Sequence, residues 1–158
     1  MLVTAPSRSP TAALPGIVRA QALALLQAAL AGHSQPLLKG KKLGLLCEDA
    51  QATDALLFQR AAHRLGAYVA HIRPSLSHLS APAQVQHTAR MLGRLYDAVE
   101  CQGMAAGLVR QIGLCTDVPV FDQLAAQAGN AELLDGQATP TDDLRCFVLQ
   151  ALLLHALT

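Results

Sequence analysis

The sequence has 158 residues, of which 52% are hydrophobic and 15% charged, a balance typical of one folded domain with a sizeable core. Lys and Arg number 12 against 11 Asp and Glu, so the net charge of +1 gives no nucleic-acid signature. Polar side chains interrupt every apolar run before the roughly 20 residues that a spanning helix needs. These properties exclude a disordered chain, and we expect no nucleic-acid partner and no membrane association.

The first fifteen residues and the cysteines indicate the cellular compartment of the protein. Residues 1–15 lack the basic start and long apolar stretch of a secretory signal, and their Ser, Thr and Pro content predicts a flexible tail. The lack of an acidic residue before Glu48 leaves a transit peptide as the alternative. The four cysteines form no C-x-x-C pair, which favours reduced, mostly buried thiols. We therefore expect a cytoplasmic protein.

Helical periodicity alternates with short apolar runs along the chain. Leucines at 23, 26 and 30 predict a first helix that Gly32 ends, and the runs predict strands at 43–47, 68–72, 98–101 and 118–121. Helical stripes lie between them, over 57–65, 82–96 and 104–113. One helix in each gap of roughly 20 to 30 residues is typical of right-handed βαβ units. The predicted fold class is α/β, a parallel sheet of about four strands with helices on both faces.

A last helix is predicted from Asp142 or Asp143 through Leu157. Its leucines, with Phe147 and Val148, cover most of its circumference, and such a helix must be buried nearly all round. One small sheet covers only one side of it. We therefore expect a homo-oligomer or a protein partner docked on residues 143–157, with burial inside the chain as the alternative.

Ligands of open α/β sheets bind at the carboxyl ends of the strands. No Gly-rich phosphate loop and no nucleophile elbow lies there, and the histidines lack the spacing of a metal site. We expect no metal, no cofactor and no catalytic residue, and a solvated rim is the alternative to a ligand site. The residues that would line a crevice are Glu48, Asp49, Thr53, Gln102, Gly103 and Asp122.

Two stretches, KGKKLGLLCE at 39–48 and HTARMLGRLYDAV at 87–99, resemble the ornithine and aspartate carbamoyltransferases. The spacing between them fits without a gap, with further matches at Phe58, Leu65, Pro74 and Leu79, so the resemblance covers residues 38–103. Residues 118–120 and Pro140 extend it weakly. The resemblance implies the N-terminal, carbamoyl-phosphate-binding domain of that family over residues 16–158, without the second, amino-acid-binding domain. It also implies a trimer, with a dimer next.

The same resemblance shows which ligand motifs differ. It implies a phosphate-binding loop Ser-Thr-Arg-Thr-Arg after the first strand, where this chain has QATDA at 51–55. Glu48, Asp49 and Asp54 surround that helix N-terminus, and Asp54 is predicted to cap it and to repel phosphate. The arginine expected after the third strand is Gln102, and the segments at 80–84 and 139–142 also depart from the family's motifs. Loss of these donors removes the means of stabilising a transition state.

Three functions follow as hypotheses. The first is a stand-alone, catalytically inactive relative of this domain that acts as an oligomeric binding or regulatory protein. The second is a half-enzyme that needs a separate amino-acid-binding chain. The third is a regulatory protein that senses an amino acid or a nucleotide at the strand ends. The candidate ligand contacts are Glu48, Asp49, Thr53, Asp54, Gln102 and Gly103.

Overall fold

A computed structural model describes residues 16–77, 80–129 and 142–158. The predictions for residues 1–15, for Leu79 and for the segment around Pro140 lie outside these ranges. In chain order the described elements are α1 (Gly16–Leu30), β1 (Lys42–Leu46), α2 (Thr53–Arg64), β2 (Tyr68–Ile72), α3 (Pro82–Leu95), β3 (Ala98–Cys101), α4 (Ala106–Leu114), β4 (Val120–Asp122), α5 (Leu124–Gly129) and α6 (Asp142–Leu157).

The four strands form one parallel sheet in the order β2-β1-β3-β4. Strand β1 is central, with Leu43 paired to Val69 on one side and to Ala98 on the other. The predicted α/β class with a four-stranded parallel sheet is confirmed. The proline before the last strand lies at an edge, as expected for a residue that cannot donate to a ladder.

Helices cover both faces of the sheet. Leu43 and Leu45 point into a core shared with α1, α2, α5 and α6, while Leu46 and Val99 face α3 and α4. This alternation is the two-residue period of a strand that is buried on both faces. Within the described ranges no helix is both long enough and apolar enough to cross a membrane.

The structure buries α6 inside the chain. Val148, Leu149, Leu153 and Leu154 are fully buried and belong to the core formed with α1, α2 and α5. The buried Gln150 side chain donates a hydrogen bond to the backbone oxygen of Ala61 at 3.2 Å. Helices α1, α2 and α5 of the same chain thus cover most of α6, which favours the alternative of burial inside the chain, and a partner on residues 143–157 stays a prediction.

Two predicted strands and one predicted helix end agree with the structure, while one helix was not predicted. The predicted strands at 68–72 and 98–101 have the observed bounds, and Gly32 has the positive φ of 74° that ends α1. Helix α5 was not predicted, because residues 123–141 show weak hydrophobic periodicity. Leu124, Ala125 and Ala128 are nevertheless buried in the core. Contacts with residues far away in the sequence stabilise α5, and the buried Glu100 of β3 accepts hydrogen bonds from the first turn of this helix.

Candidate functional site

A buried carboxylate lies near the carboxyl end of β3. Glu100 is 0% exposed, and its Oε1 accepts a hydrogen bond of 2.9 Å from the backbone N–H of Leu124. Its Oε2 accepts one of 3.1 Å from the backbone N–H of Ala125. These N–H groups start α5 and have no partner within that helix. Glu100 thus joins the central part of the sheet to the helix that follows the edge strand β4.

Gln102 connects this carboxylate to the start of α2. Its Nε2 donates to Oε2 of Glu100 at 3.3 Å and to the backbone oxygen of Asp54 at 3.1 Å. A glutamine amide has two hydrogens, so both are engaged within the chain. The Gln102 side chain therefore links the first turn of α2 to the buried Glu100 and offers no free N–H to a ligand.

Burial raises the pKa of Glu100 from 4.5 to about 7. The hydrogen bonds from Leu124, Ala125 and Gln102 oppose this shift, and the nearby Asp122 carboxylate adds to it. Asp122 ends β4 beside Cys101 and is half-buried, and its Oδ1 accepts no hydrogen bond from the described residues. Two carboxylates thus share the carboxyl edge of the sheet.

The start of α2 presents an acidic surface. Glu48, Asp49, Thr53 and Asp54 are all exposed. The residue that precedes the helix is Ala52, and no side chain caps it, so the prediction that Asp54 caps α2 is wrong. Asp54 lies one residue inside the helix, where its charge faces the positive end of the helix dipole. Asp49 instead accepts a hydrogen bond from the backbone of Gln51 at 2.9 Å.

Basic side chains are scarce at this edge. The described residues between β1 and α2, between β3 and α4, and between β4 and α5 include no Lys, Arg or His. Arg73 directly follows β2 and is exposed. The Nε2 of His71 is engaged in a hydrogen bond with the backbone oxygen of Cys47, at a distance of 2.7 Å. Three exposed carboxylates, those of Glu48, Asp49 and Asp54, therefore face one exposed guanidinium group, that of Arg73, near this edge.

The structure brings together some of the predicted site residues and separates others. Gln102 and Asp54 are joined by a hydrogen bond, while Gly103 begins the following loop with a positive φ of 71°. Glu48 and Thr53 stay on the exposed rim. Sequence reasoning missed Glu100. Its signal was a glutamate inside the apolar strand 98–101, since acidic residues are almost never fully buried without partners.

The two thiols at this edge, Cys47 and Cys101, have raised pKa values. Burial raises the pKa of Cys101 to about 12, and Glu100 and Asp122 add to that shift. The pKa of Cys47 is raised by burial and by its acidic neighbours. Both cysteines are buried, which confirms the expectation of mostly buried thiols. The described residues contain no group of three or more His, Cys, Asp or Glu that could hold a metal ion.

A second concave feature lies away from the strand ends. A groove of about 810 Å³ runs between α1 and α6, with Leu25 and Phe147 among its apolar residues and Arg64 at its border. Arg64 ends α2, ten residues and about 15 Å along the helix from Asp54 at the strand-end site. The groove is therefore a separate surface.

The four-stranded parallel sheet and its helices match solved carbamoyltransferases, so the chain has a carbamoyltransferase-like α/β fold. Over 110 residues, 70% of this chain, the sequence is 37% identical to the ornithine carbamoyltransferase of Cutibacterium acnes (strain DSM 16379 / KPA171202). These residues are 33% of that protein, so the chain spans about one third of the length of the curated relatives it matches. No protein-family model matches the chain.

Solved structures agree with the sequence comparison on the fold. The ornithine carbamoyltransferase from Pyrococcus furiosus matches with a TM-score of 0.62 at 21% identity, over 71% of this chain and 38% of that one. Aspartate transcarbamoylase from Trypanosoma cruzi, in complex with N-(phosphonacetyl)-L-aspartic acid, matches with a TM-score of 0.55 at 16% identity, over 70% and 39%. The resemblance to the N-terminal part of the ornithine and aspartate carbamoyltransferases is confirmed.

Proposed function

We propose that this carbamoyltransferase-like chain does not transfer carbamoyl groups and acts as an oligomeric binding or regulatory protein. The observation that carries the proposal is Gln102, whose two amide hydrogens are donated to Glu100 and to the backbone of Asp54. The resemblance implies an arginine at this strand end. A glutamine engaged inside the chain cannot supply the bidentate, charged donors that a phosphate or a polarised carbonyl requires.

The start of α2 supports the same proposal. A helix N-terminus attracts anions when its N–H groups and neighbouring cations are available. Here Asp54 occupies the first turn, and the exposed Glu48 and Asp49 lie just before the helix. These charges oppose a phosphate dianion, whereas they favour an ammonium group.

The proposed ligand contacts remain those at the strand ends: Glu48, Asp49, Thr53, Asp54, Gln102 and Gly103. Of the ligand classes considered, an amino acid fits these charges better than a nucleotide, because its ammonium group can approach the acidic rim. The proposal also keeps a single domain over residues 16–158 and a cytoplasmic location, which the free thiols support.

Calorimetric titration of the purified chain with carbamoyl phosphate tests the proposal, with inorganic phosphate as the matched anion. We expect no saturable binding of either anion at millimolar concentration or below. Thermal unfolding with added amino acids tests the ligand class, because a ligand that binds only the folded chain raises the melting temperature.

Saturable micromolar binding of carbamoyl phosphate, but not of phosphate, would contradict the proposal. It would favour the alternative half-enzyme that works with a separate amino-acid-binding chain. The Arg73→Ala variant is the control, because Arg73 is the exposed cation that directly follows β2. Loss of anion binding in that variant would locate the site at the sheet's carboxyl edge.

A further inference from the structure

The groove between α1 and α6 combines apolar residues with a row of polar side chains. On α6 the lining residues are Asp143, Phe147 and Gln150, whose spacing of four and three residues places them on one helix face. Arg64 borders them from the end of α2. The groove volume of about 810 Å³ is in the range of small-molecule binding sites. Its shape and lining therefore suit an apolar ligand that carries a few polar groups.

Gln150 brings an unpaired polar atom to this groove. The side chain is only 3% exposed, and its Nε2 donates to the backbone oxygen of Ala61. No described residue donates a hydrogen bond to its Oε1, and this oxygen is not fully enclosed, because Gln150 lines the groove. An amide oxygen can accept two hydrogen bonds, and leaving a buried acceptor unpaired is costly. A ligand N–H that reaches the groove would satisfy it.

Arg64 brings a cation to the border of the groove. It is exposed, and its Nη1 donates to Sγ of Cys146 at 3.7 Å. A thiol is a weak acceptor, and a guanidinium group carries five N–H donors. Within the described part of the chain, no carboxylate pairs with Arg64. The remaining donors match the two oxygens of a ligand carboxylate.

Asp143 limits the charge that the groove accepts. Burial raises the pKa of the Cys146 thiol, Arg64 lowers it and Asp143 raises it, so both charged side chains lie near this thiol. One negative group of a ligand can pair with Arg64, whereas a second would be repelled by Asp143. The groove therefore favours a single carboxylate on an otherwise apolar molecule.

We propose that this groove binds the C-terminal end of a short apolar peptide, with its carboxylate on Arg64 and its last amide N–H on Oε1 of Gln150. Four residues, about 6 Å along α6, separate Gln150 from Cys146, which Arg64 contacts. One peptide residue and its two hydrogen bonds span that distance. The peptide's apolar side chains cover Leu30 and Leu37, which line the groove and are 80% and 48% exposed. This site is separate from the strand ends and goes beyond the proposed function.

Calorimetric titration of the full chain with the tripeptide Leu-Ala-Leu tests the proposal. We expect saturable binding with a dissociation constant of about 10 to 1,000 µM. The same tripeptide with an amidated C-terminus lacks the carboxylate and should bind at least about tenfold more weakly. The tripeptide N-methylated at its last amide should also bind more weakly, because Oε1 of Gln150 then stays unpaired.

The Arg64→Gln variant should bind the acid and amide forms of the tripeptide with equal affinity, because the cation that distinguishes them is gone. The matched control is Arg90→Gln, which removes an exposed arginine of α3 on the opposite face of the sheet and should keep the preference for the acid. Melting temperatures equal to that of wild type show that both variants fold.

Three results would each overturn the proposal. They are no saturable binding of Leu-Ala-Leu up to about 5 mM, equal affinity of wild type for the acid and amide forms, and an undiminished preference for the acid in Arg64→Gln. Octanoate, which has a carboxylate and an apolar tail but no amide, should bind more weakly than the tripeptide, and equal affinity would show that the peptide assignment is wrong. None of these measurements uses carbamoyl phosphate, so failure of this site and failure of the proposed function are distinguishable.

Discussion

Oε1 of Glu100 lies 2.9 Å from the backbone nitrogen of Leu124, and the side chain that accepts this hydrogen bond is completely buried. The bond links β3, inside the sheet, to α5, a helix that the hydrophobic pattern of the sequence does not predict. This carboxyl group and the buried Leu124, Ala125 and Ala128 together hold α5 in the core. We expect the ionisation of Glu100 to change the stability of the fold.

We expect the stability of the chain to fall between pH 5 and pH 8 because of Glu100. Its folded-state pKa of about 7 is above the unfolded value of 4.5, so the folded chain binds the proton more tightly. The resulting stabilisation is fully present below pH 4.5 and is lost as the pH rises through 7. We expect the unfolding free energy, measured by urea denaturation, to fall by about 2 kcal/mol between pH 5 and pH 8.

The Glu100→Gln variant should lose this part of the pH dependence, since an amide does not titrate. Glu48→Gln is the control, because Glu48 is exposed and its replacement leaves the Glu100 titration in place. Equal slopes of stability against pH in wild type and Glu100→Gln would show that Glu100 does not titrate in this range.

Gly44 in β1 should not tolerate a side chain. A Cβ atom added there would lie 3.0 Å from Cδ2 of Tyr96, in the packed layer between the sheet and α3. Gly44→Ala should lower the unfolding free energy by about 1 to 3 kcal/mol, the usual cost of overpacking. Gly107→Ala is the control, because a Cβ there has open space and the helix gains up to about 1 kcal/mol.

The Tyr96 contact can be tested directly with a double-mutant cycle in urea. Adding Tyr96→Ala to Gly44→Ala removes the ring that a methyl group would strike, so the double variant should be more stable than the sum of the single effects predicts. Strictly additive effects would mean that the cost of Gly44→Ala arises elsewhere.

Arginines placed at 53 and 55, where the resemblance implies them, should differ in their effect on stability. Thr53 is exposed, so Thr53→Arg should change the midpoint of urea unfolding very little. Ala55 is 0% exposed, so Ala55→Arg should cost about 3 kcal/mol or more by burying an unpaired charge.

Neither arginine variant should bind carbamoyl phosphate in the calorimeter, because Gln102 and the acidic rim remain. Saturable binding by Thr53→Arg alone would show that one guanidinium group is enough to restore an anion site. A fully stable Ala55→Arg variant would show that this position can open to solvent.

Thiol reactivity should separate the four cysteines. Cys115 is half-buried, while Cys47, Cys101 and Cys146 are buried. A pKa of about 12 gives Cys101 a thiolate population roughly a thousandfold below that of an ordinary thiol at pH 8. An aromatic disulfide reagent should therefore modify Cys115 first, and all four cysteines should react in denaturant.

The Cys115→Ser variant should lack the fast phase of this reaction. If a fast phase persists in that variant, another cysteine becomes accessible in the native state. Labelling followed by peptide mass analysis identifies the residue.

Local pattern in the sequence determined most of the sheet. Strands 68–72 and 98–101 and the helix that begins at Pro82 follow from short apolar runs, a helical stripe and proline at a helix start. The residues at 39–48 and 87–99 and the spacing between the two stretches were also sufficient to indicate the carbamoyltransferase resemblance. These features depend on residues that are close together in the sequence, so they can be predicted from the sequence alone.

The tertiary structure decided which apolar helix is covered and which carboxylate is buried. The sequence predicts that α6 is buried but leaves open whether a partner or the same chain covers it, whereas the fold packs α6 against α1, α2 and α5 and leaves apolar side chains exposed on α1. The bonds responsible join residues far apart in the chain, Gln150 to Ala61 across 89 positions and Leu124 to Glu100 across 24. Burial and pKa depend on such long-range contacts, and hydrophobic periodicity describes only the helix or strand in which a residue lies.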